Sequence, residues 1–231
     1  MGLLQDKLIS YDIPQKYKEM GIYPYFREIT RKQGTEVEMD GKKVLMFGSN
    51  AYTGLNYEPR IIQAGQEALE KYGSSCSGSR FLNGTLDLHT KLEREIAKFV
   101  GKEEALVFST GFTVNSGCIP CLVGRNDLIY CDTQDHASIV DGRRLAFAQQ
   151  KKFKHNDLVD LENQLKRAPK DAVKLIVVDS VFSMEGDLAP LKEFSETQAS
   201  VRCCHLCGRS TQHWSIRKAW RGALPRARNY G

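Results

Sequence analysis

Several common features are missing from this 231-residue sequence, and each absence narrows the possible function. No run of about 18 apolar residues occurs, so we expect no transmembrane helix. The N-terminus lacks a basic region followed by an apolar core, so no secretory signal is predicted. Neither a Walker loop nor a G-x-G-x-x-G motif occurs, which gives nucleotide binding little support.

Cysteines are few and lie in apolar or small-residue surroundings through most of the chain, at Cys76, Cys118, Cys121 and Cys131. This setting is typical of reduced thiols and not of a disulfide framework, so we expect a cytoplasmic protein. The CxxC spacing of Cys118 and Cys121 falls late in a predicted helix, without the strand that precedes a thioredoxin-like motif. Helix packing is therefore the favoured interpretation of this pair.

The character of the sequence changes near Glu193 and Phe194. Residues 194–231 contain both tryptophans, three cysteines, and seven basic residues against one acid, a net charge of +6. Residues 1–193 carry 26 basic and 27 acidic residues, a net charge of −1, so the basic pI arises from the tail. We therefore predict no nucleic-acid partner from the charge.

A shift of reading frame accounts for this tail. If the codons for Cys204 to Lys218 are read one base later, they can encode AIYVDEAHSIGVFGK. We predict that residues 194–231 are translated out of frame and are disordered. The cluster Cys203, Cys204, His205 and Cys207 offers zinc ligands in type, but these residues lie in that tail, so we expect no metal site. A basic RNA-binding or zinc-binding tail on a non-catalytic fragment is the alternative of a different class.

The first part of the chain predicts an N-terminal helical arm in residues 1–35. Residues 36–47 predict two strands joined by a type I′ turn at Asp40-Gly41. Helices are predicted from Pro59 to Tyr72 and from Asp87 to Val100. A loop rich in glycine and serine separates them.

Strand and helix patterns then alternate as far as Asp179. Strands are predicted at 105–109, 127–132, 150–153 and 173–179, and helices at 111–122, 137–146 and 157–166. This alternation predicts an α/β fold with a mainly parallel sheet and helices on both faces. We assign residues 36–193 to one incomplete domain. We expect that the strands which would follow Asp187 are missing and that the sheet is left with an unpaired edge.

Polar segments follow three of the predicted strands, where ligands bind in open α/β sheets. They are STGFT from Ser109, DHAS from Asp135, and FSMEGD from Phe182. The first joins a strand to a helix, so its free backbone N–H groups and helix dipole suit a phosphate. Taken singly, a glycine at such a turn or a lone histidine is more often structural.

Taken together, STGF, DHASI, VFSMEGD and the loop GSSCSGSRFLNGT resemble the α-oxoamine synthase family of pyridoxal-phosphate (PLP) enzymes over residues 1–193. The resemblance implies part of a type I, aspartate aminotransferase-like large domain. Residues 79–85 with His89 look most like members that condense L-serine with a long-chain acyl-CoA in sphingolipid synthesis. Glycine C-acetyltransferase-like and 8-amino-7-oxononanoate synthase-like members are the alternatives.

The resemblance also implies residue roles. Gly111 and Phe112 are expected to hold the cofactor phosphate, and His136 to stack on the ring and place the amino-acid carboxylate. Ser183 is expected to hydrogen-bond the phenolic oxygen, and Asn50 to lie near the substrate entrance. The family's ring-nitrogen aspartate belongs to VDEAH, present only in the shifted frame, and its Schiff-base lysine has no match here. The resemblance therefore implies a homodimeric enzyme, of which this chain is an inactive fragment.

Overall fold

The computed structural model describes residues 2–51, 53–194 and 196, and the backbone of 204–209 and 213–218. Its contacts divide the chain into two compact units, Met1–Asp87 and Leu88–Gly231. The predicted domain boundaries, after residues 35 and 193, differ from this division after Asp87. The predicted division into three segments stays a prediction. Within the described part of the chain, no helix is both long and apolar enough to cross a bilayer.

The first unit combines short helices with a three-stranded antiparallel sheet in the order β1-β2-β3. Its elements are α1 (Leu3–Ser10), α2 (Ile13–Glu19), β1 (Ile29–Gln33), β2 (Glu36–Met39), β3 (Lys42–Leu45), a 3-10 turn (Leu55–Tyr57) and α3 (Pro59–Tyr72). Strand β1 lies in the predicted helical arm, so the helical prediction is wrong for these residues. The neighbouring strand β2 supplies the hydrogen bonds that hold β1 extended.

Two local predictions in this unit are confirmed. Asp40 and Gly41 both have positive φ, 53° and 71°, as a type I′ turn requires, and they join β2 to β3 in register. Helix α3 begins at Pro59 and ends at Tyr72, and Gly73, whose φ is 75°, caps its C-terminus. Both signals work because proline needs no N–H at a helix start and glycine tolerates a positive φ.

The second unit is a layered α/β structure. It contains α4 (Asp87–Val100), α5 (Gly111–Cys121), β4 (Leu128–Asp132), α6 (Ala137–Leu145), β5 (Gln149–Phe153), α7 (Leu158–Lys166), β6 (Lys174–Asp179), β7 (Cys204–Arg209) and β8 (His213–Lys218). The sheet order is β5-β4-β6-β7-β8, and only β8 among these strands is antiparallel to its neighbour. The predicted fold class, a mainly parallel α/β sheet, is confirmed.

Alternation along the central strands gives the sheet two buried faces. On one face, Tyr130 and Ile176 pack with Leu161 and Leu165 of α7. On the other, Ile129 and Val177 pack with helices α5 and α6 through a separate apolar cluster, which contains Ile119, Cys131, Ile139 and Leu175. Successive strand residues point to opposite faces, so each central strand contributes to both cores.

The start of the predicted tail is part of this core. Phe194 is fully buried, and its ring meets that of Phe153 edge-on, with the centroids 5.9 Å apart. The backbone of β7, which follows Asp187 in the chain, pairs in parallel with β6, so the prediction that a missing strand leaves this edge unpaired is wrong. The out-of-frame origin and the disorder of residues 194–231 stay predictions, and the side chains of the zinc candidates lie outside the described residues.

The predicted strand at Ala105–Ser109 is wrong. These residues form no strand, although the Val107 amide donates to the Glu93 carboxylate at 3.0 Å. A strand requires a neighbour to complete its hydrogen bonds, and no described strand pairs with this segment. An apolar pattern alone therefore overstated the regular structure here.

Candidate functional site

The candidate site is built at the carboxyl ends of β4 and β6, which are neighbours in the sheet. Both strands end at an aspartate, Asp132 and Asp179. The turn 133–136 follows the first strand, and the loop 180–187 follows the second. Two predicted site residues, His136 and Ser183, lie in these connections.

A buried carboxylate ties the two strand ends together. Asp135 accepts hydrogen bonds from the amides of Asp132 at 2.8 Å and Asp179 at 3.0 Å. Burial raises the pKa of Asp135 well above its usual value, although these amide bonds partly oppose the shift. Asp179 in turn accepts from the His136 amide at 2.8 Å, so the start of α6 is held to β6.

The start of α5 presents free donors. Thr110 caps the helix, because its hydroxyl accepts from the Thr113 amide at 3.1 Å, and its own amide donates to the Thr113 hydroxyl. Among the described residues, no acceptor pairs with the amides of Gly111 or Phe112. Two free N–H groups at the positive end of an 11-residue helix suit an anion such as a phosphate.

His136 is fixed beside this helix by its own hydrogen bonds. The residue caps α6, and its Nδ1 accepts from the Ser138 amide at 3.2 Å. The Ser138 hydroxyl lies 2.7 Å from the same nitrogen. Its oxygen accepts a hydrogen bond from the side-chain amide of Asn115 at 2.6 Å. Asn115 lies one turn after Gly111, so the α5 N-terminus and His136 share one edge of the sheet.

Close packing of α5 against α6 makes this contact possible. A Cβ on Gly142 would lie 2.5 Å from the Asn115 backbone oxygen and 2.9 Å from Ile119. A real Cβ atom essentially never lies within 3.0 Å of such neighbours, so only glycine permits this approach of the two helices. The glycine in α6 therefore helps to set the distance between Asn115 and Ser138.

Ser183 lies exposed in the loop after β6. The loop is closed by hydrogen bonds from the Phe182 amide to the Asp187 carbonyl at 3.0 Å and from the Gly186 amide to the Phe182 carbonyl at 2.7 Å. Ser183 follows Asp179 by four residues, so the structure brings its loop to the same edge as His136. Asn50 lies exposed at a bend in the first unit.

A second histidine supports the loop that carries Ser183. The ring of His155 joins Asp132, 2.9 Å from Nδ1, to Asp187, 2.7 Å from Nε2. Its edge also meets the Phe182 ring, with centroids 4.5 Å apart. Desolvation lowers the pKa of His155, but the bonds to Asp187 and Asp132 outweigh it, so the pKa is raised.

Sequence reasoning did not identify the supporting residues. Asp132, Asp135 and Asp179 stand at the ends of predicted segments and had no predicted role, and no motif marks Asn115 or His155. The available signal was their position: polar residues directly after strands, beside the segments already selected. Within the described side chains, no group of three or more His, Cys, Asp or Glu residues could hold a metal ion.

Comparison with known proteins assigns the chain to a family. The model of the family "Aminotransferase class I and II" matches residues 42–206. A serine palmitoyltransferase from Bacteroides thetaiotaomicron is 70% identical over 193 residues, which cover 84% of this chain and 49% of that protein. An 8-amino-7-oxononanoate synthase from Geobacter metallireducens is 43% identical over 178 residues, which cover 77% of this chain and 46% of that protein.

The fold agrees with a solved structure. A serine palmitoyltransferase variant from S. paucimobilis, described with a bound PLP–myriocin aldimine, has a TM-score of 0.84 and 38% sequence identity. The match covers 90% of this chain and 52% of that one. The chain thus spans about half the length of the relatives it matches. The chain belongs to the aminotransferase class I and II family, and within it resembles the bacterial serine palmitoyltransferases.

Proposed function

We propose that the second unit carries the phosphate and ring-face part of a PLP site. The whole protein is proposed to condense L-serine with a long-chain acyl-CoA, releasing CO₂ and CoA. One observation carries the site: the two free amides at the start of α5 lie on the same edge as His136, linked through Asn115 and Ser138. The 70% identity to a serine palmitoyltransferase supports the choice of substrates.

The described residues fit such a cofactor. Gly111 and Phe112 offer backbone donors to the phosphate, and no described acceptor competes for them. His136 is exposed, so its ring is available to lie on the face of an aromatic cofactor and to orient an amino-acid carboxylate. Ser183, also exposed, is assigned to the cofactor's phenolic oxygen, and Asn50 to the substrate entrance.

When bound, PLP supplies an electron sink for the negative charge that develops on the amino-acid Cα. Within these 231 residues, the resemblance matches no residue to the covalent lysine or to the aspartate at the ring nitrogen. We therefore expect this chain by itself to bind the cofactor without turnover. The whole protein is proposed to work in the cytoplasm as a homodimer.

A second substrate pair comes from the same family. The relative from Geobacter metallireducens is named for a different product, and its identity of 43% makes it the weaker guide. An intact protein that uses alanine and a pimeloyl donor in preference to serine and palmitoyl-CoA would select this alternative. Competition between the two amino acids in one reaction mixture measures the preference directly.

Binding is tested by titrating the purified chain with PLP and following the cofactor's absorbance. His136→Ala removes the ring and the helix cap, whereas His136→Asn removes the ring but retains a capping side chain. We expect both substitutions to raise the dissociation constant at least about tenfold, or about 1.4 kcal/mol. Wild-type affinity in His136→Asn would show that the ring takes no part in binding.

Turnover is tested in two proteins, this chain and an intact version with restored downstream sequence. Acyl-CoA-dependent CO₂ release from serine is expected from the intact version alone. Borohydride reduction should likewise fix PLP to a lysine in the intact version alone. CO₂ release from the 231-residue chain would contradict the proposal that it binds without catalysing.

A further inference from the structure

The imidazole of His136 is held by two groups that approach the same nitrogen. The Ser138 amide points at Nδ1 from 3.2 Å, and the Ser138 hydroxyl lies 2.7 Å from it. A backbone N–H can only donate, so Nδ1 must offer a lone pair. A neutral ring whose Nδ1 accepts carries its proton on Nε2.

Asn115 sets the direction of the hydroxyl bond. Its side-chain nitrogen donates to the Ser138 oxygen at 2.6 Å, inside a buried contact between α5 and α6. The hydroxyl oxygen therefore accepts from Asn115, and its proton is free to point at Nδ1. Asn115 thus donates to Ser138, and Ser138 donates to His136.

We propose that Asn115 and Ser138 are positioning residues that hold His136 in the tautomer protonated at Nε2. Asn115 is 6% exposed and Ser138 is 2% exposed, so bulk water does not exchange for either partner. The exposed side of the ring then always presents a donor. Such a donor suits the carboxylate of an amino-acid substrate, and this last step rests on the proposed function.

The arrangement has a cost that a purely structural contact would avoid. The Asn115 Oδ1 is buried without a hydrogen-bond partner among the described residues. Leaving a buried acceptor unpaired generally destabilises a protein. An apolar side chain at this position would remove that cost, so the amide is better explained by its effect on Ser138 and His136 than by stability.

The tautomer is measured by long-range proton–nitrogen NMR of the ¹⁵N-labelled chain at about pH 8, where an ordinary histidine is neutral. His136→Gln identifies the His136 signals among those of the five histidines. In the wild-type chain we expect one pyrrole-type nitrogen at Nε2 and one pyridine-type nitrogen at Nδ1. Averaged nitrogen shifts in the wild type would overturn the proposal.

Three substitutions sharpen the test. Asn115→Leu and Ser138→Ala should each move the His136 nitrogens part of the way toward averaged values, because both variants keep the Ser138 amide that donates to Nδ1 but lose the directed hydroxyl bond. Ser138→Thr, which retains the hydroxyl, should give the wild-type pattern. The change of the nitrogen shifts in Asn115→Leu should come with an unfolding midpoint close to wild type, because this substitution removes the unpaired Asn115 oxygen together with the hydrogen bond to Ser138. Wild-type nitrogen shifts in both Asn115→Leu and Ser138→Ala would overturn the assignment.

The NMR measurement needs no cofactor, so it separates this proposal from the proposed function. PLP titration of the same variants gives the second reading. Altered shifts with unchanged PLP affinity in every variant, His136→Asn included, would support the tautomer assignment and contradict a role of His136 in PLP binding. Wild-type shifts with weakened PLP binding in Asn115→Leu would contradict the tautomer assignment and leave the PLP site standing.

Discussion

The two units of the chain use similar sequence patterns with different results. In the second unit, apolar strand and helix residues meet in two buried clusters, one on each face of the sheet. In the first unit, Val37 is the one buried apolar residue among those described. Helix α3 has a clear apolar stripe, yet Ile61, Ile62 and Leu69 remain about half exposed.

The apolar pattern of an element and the burial of its residues are therefore separate properties. Periodicity decides which face of an element is apolar, but a core forms only where two such faces can meet. The main part of the candidate site lies in the unit with the packed core, where His136 is held to β6 through Asp179 and the loop that carries Ser183 is closed by backbone hydrogen bonds. Such support is what keeps functional side chains in place.

The sharpest contrast between the units is expected from truncating a large side chain in each. Phe194→Ala removes a fully buried ring from the core and should lower the free energy of unfolding by about 3–5 kcal/mol. Leu69→Ala in α3 removes a side chain that is 57% exposed and should change it by about 0.5 kcal/mol or less. Urea unfolding of both variants measures the two free-energy changes. Equal losses of unfolding free energy would contradict the expected difference between the units.

A second contrast uses one substitution at two helical glycines. Gly142→Ala places a methyl group 2.5 Å from the Asn115 backbone oxygen, so we expect a loss of about 1–3 kcal/mol. Gly65→Ala lies in α3 with nothing within 4 Å and should stabilise by about 0.5–1 kcal/mol. The unfolding temperature should therefore fall in Gly142→Ala and rise in Gly65→Ala, and a rise in Gly142→Ala would show that α5 and α6 are not closely packed.

The predictions from sequence succeeded where the deciding signal is local. The Asp40-Gly41 turn and the end of α3 at Gly73 depend on backbone conformations that few residues adopt. The strand at Ala105–Ser109 failed because a strand also needs a neighbour, which a local pattern cannot supply. Strand β1 was missed for the opposite reason, since its polar sequence becomes extended by pairing with β2.

The candidate site divides in the same way. Gly111, Phe112, His136 and Ser183 could be selected because they stand in motifs to which the family resemblance assigns roles. Their supports could not, since His155 contacts partners 23 and 32 residues away along the chain. Such contacts follow from the order of strands in the sheet, and periodicity does not give that order.

A smaller effect concerns the pH dependence of the second unit. The raised pKa of His155 means that its ion pairs stabilise the fold below its ordinary value of 6.5, and this contribution is lost as the pH rises through the raised pKa. His155→Gln should flatten the pH dependence of the unfolding free energy in that window, and Asp187→Asn should reduce it partly, because Asp132 remains. Unchanged pH profiles in both variants would contradict the network.

The affinity for PLP of two variants at position 111 tests the phosphate site directly. Gly111→Pro removes the backbone donor while suiting the first turn of a helix, where the preceding Thr110 is already extended. Gly111→Ala keeps the donor and serves as the matched control. We predict that PLP binding, measured by absorbance titration of the full chain, weakens about tenfold in the proline variant and stays close to wild type in the alanine variant. Equal affinity in both variants would contradict a phosphate site at the start of α5.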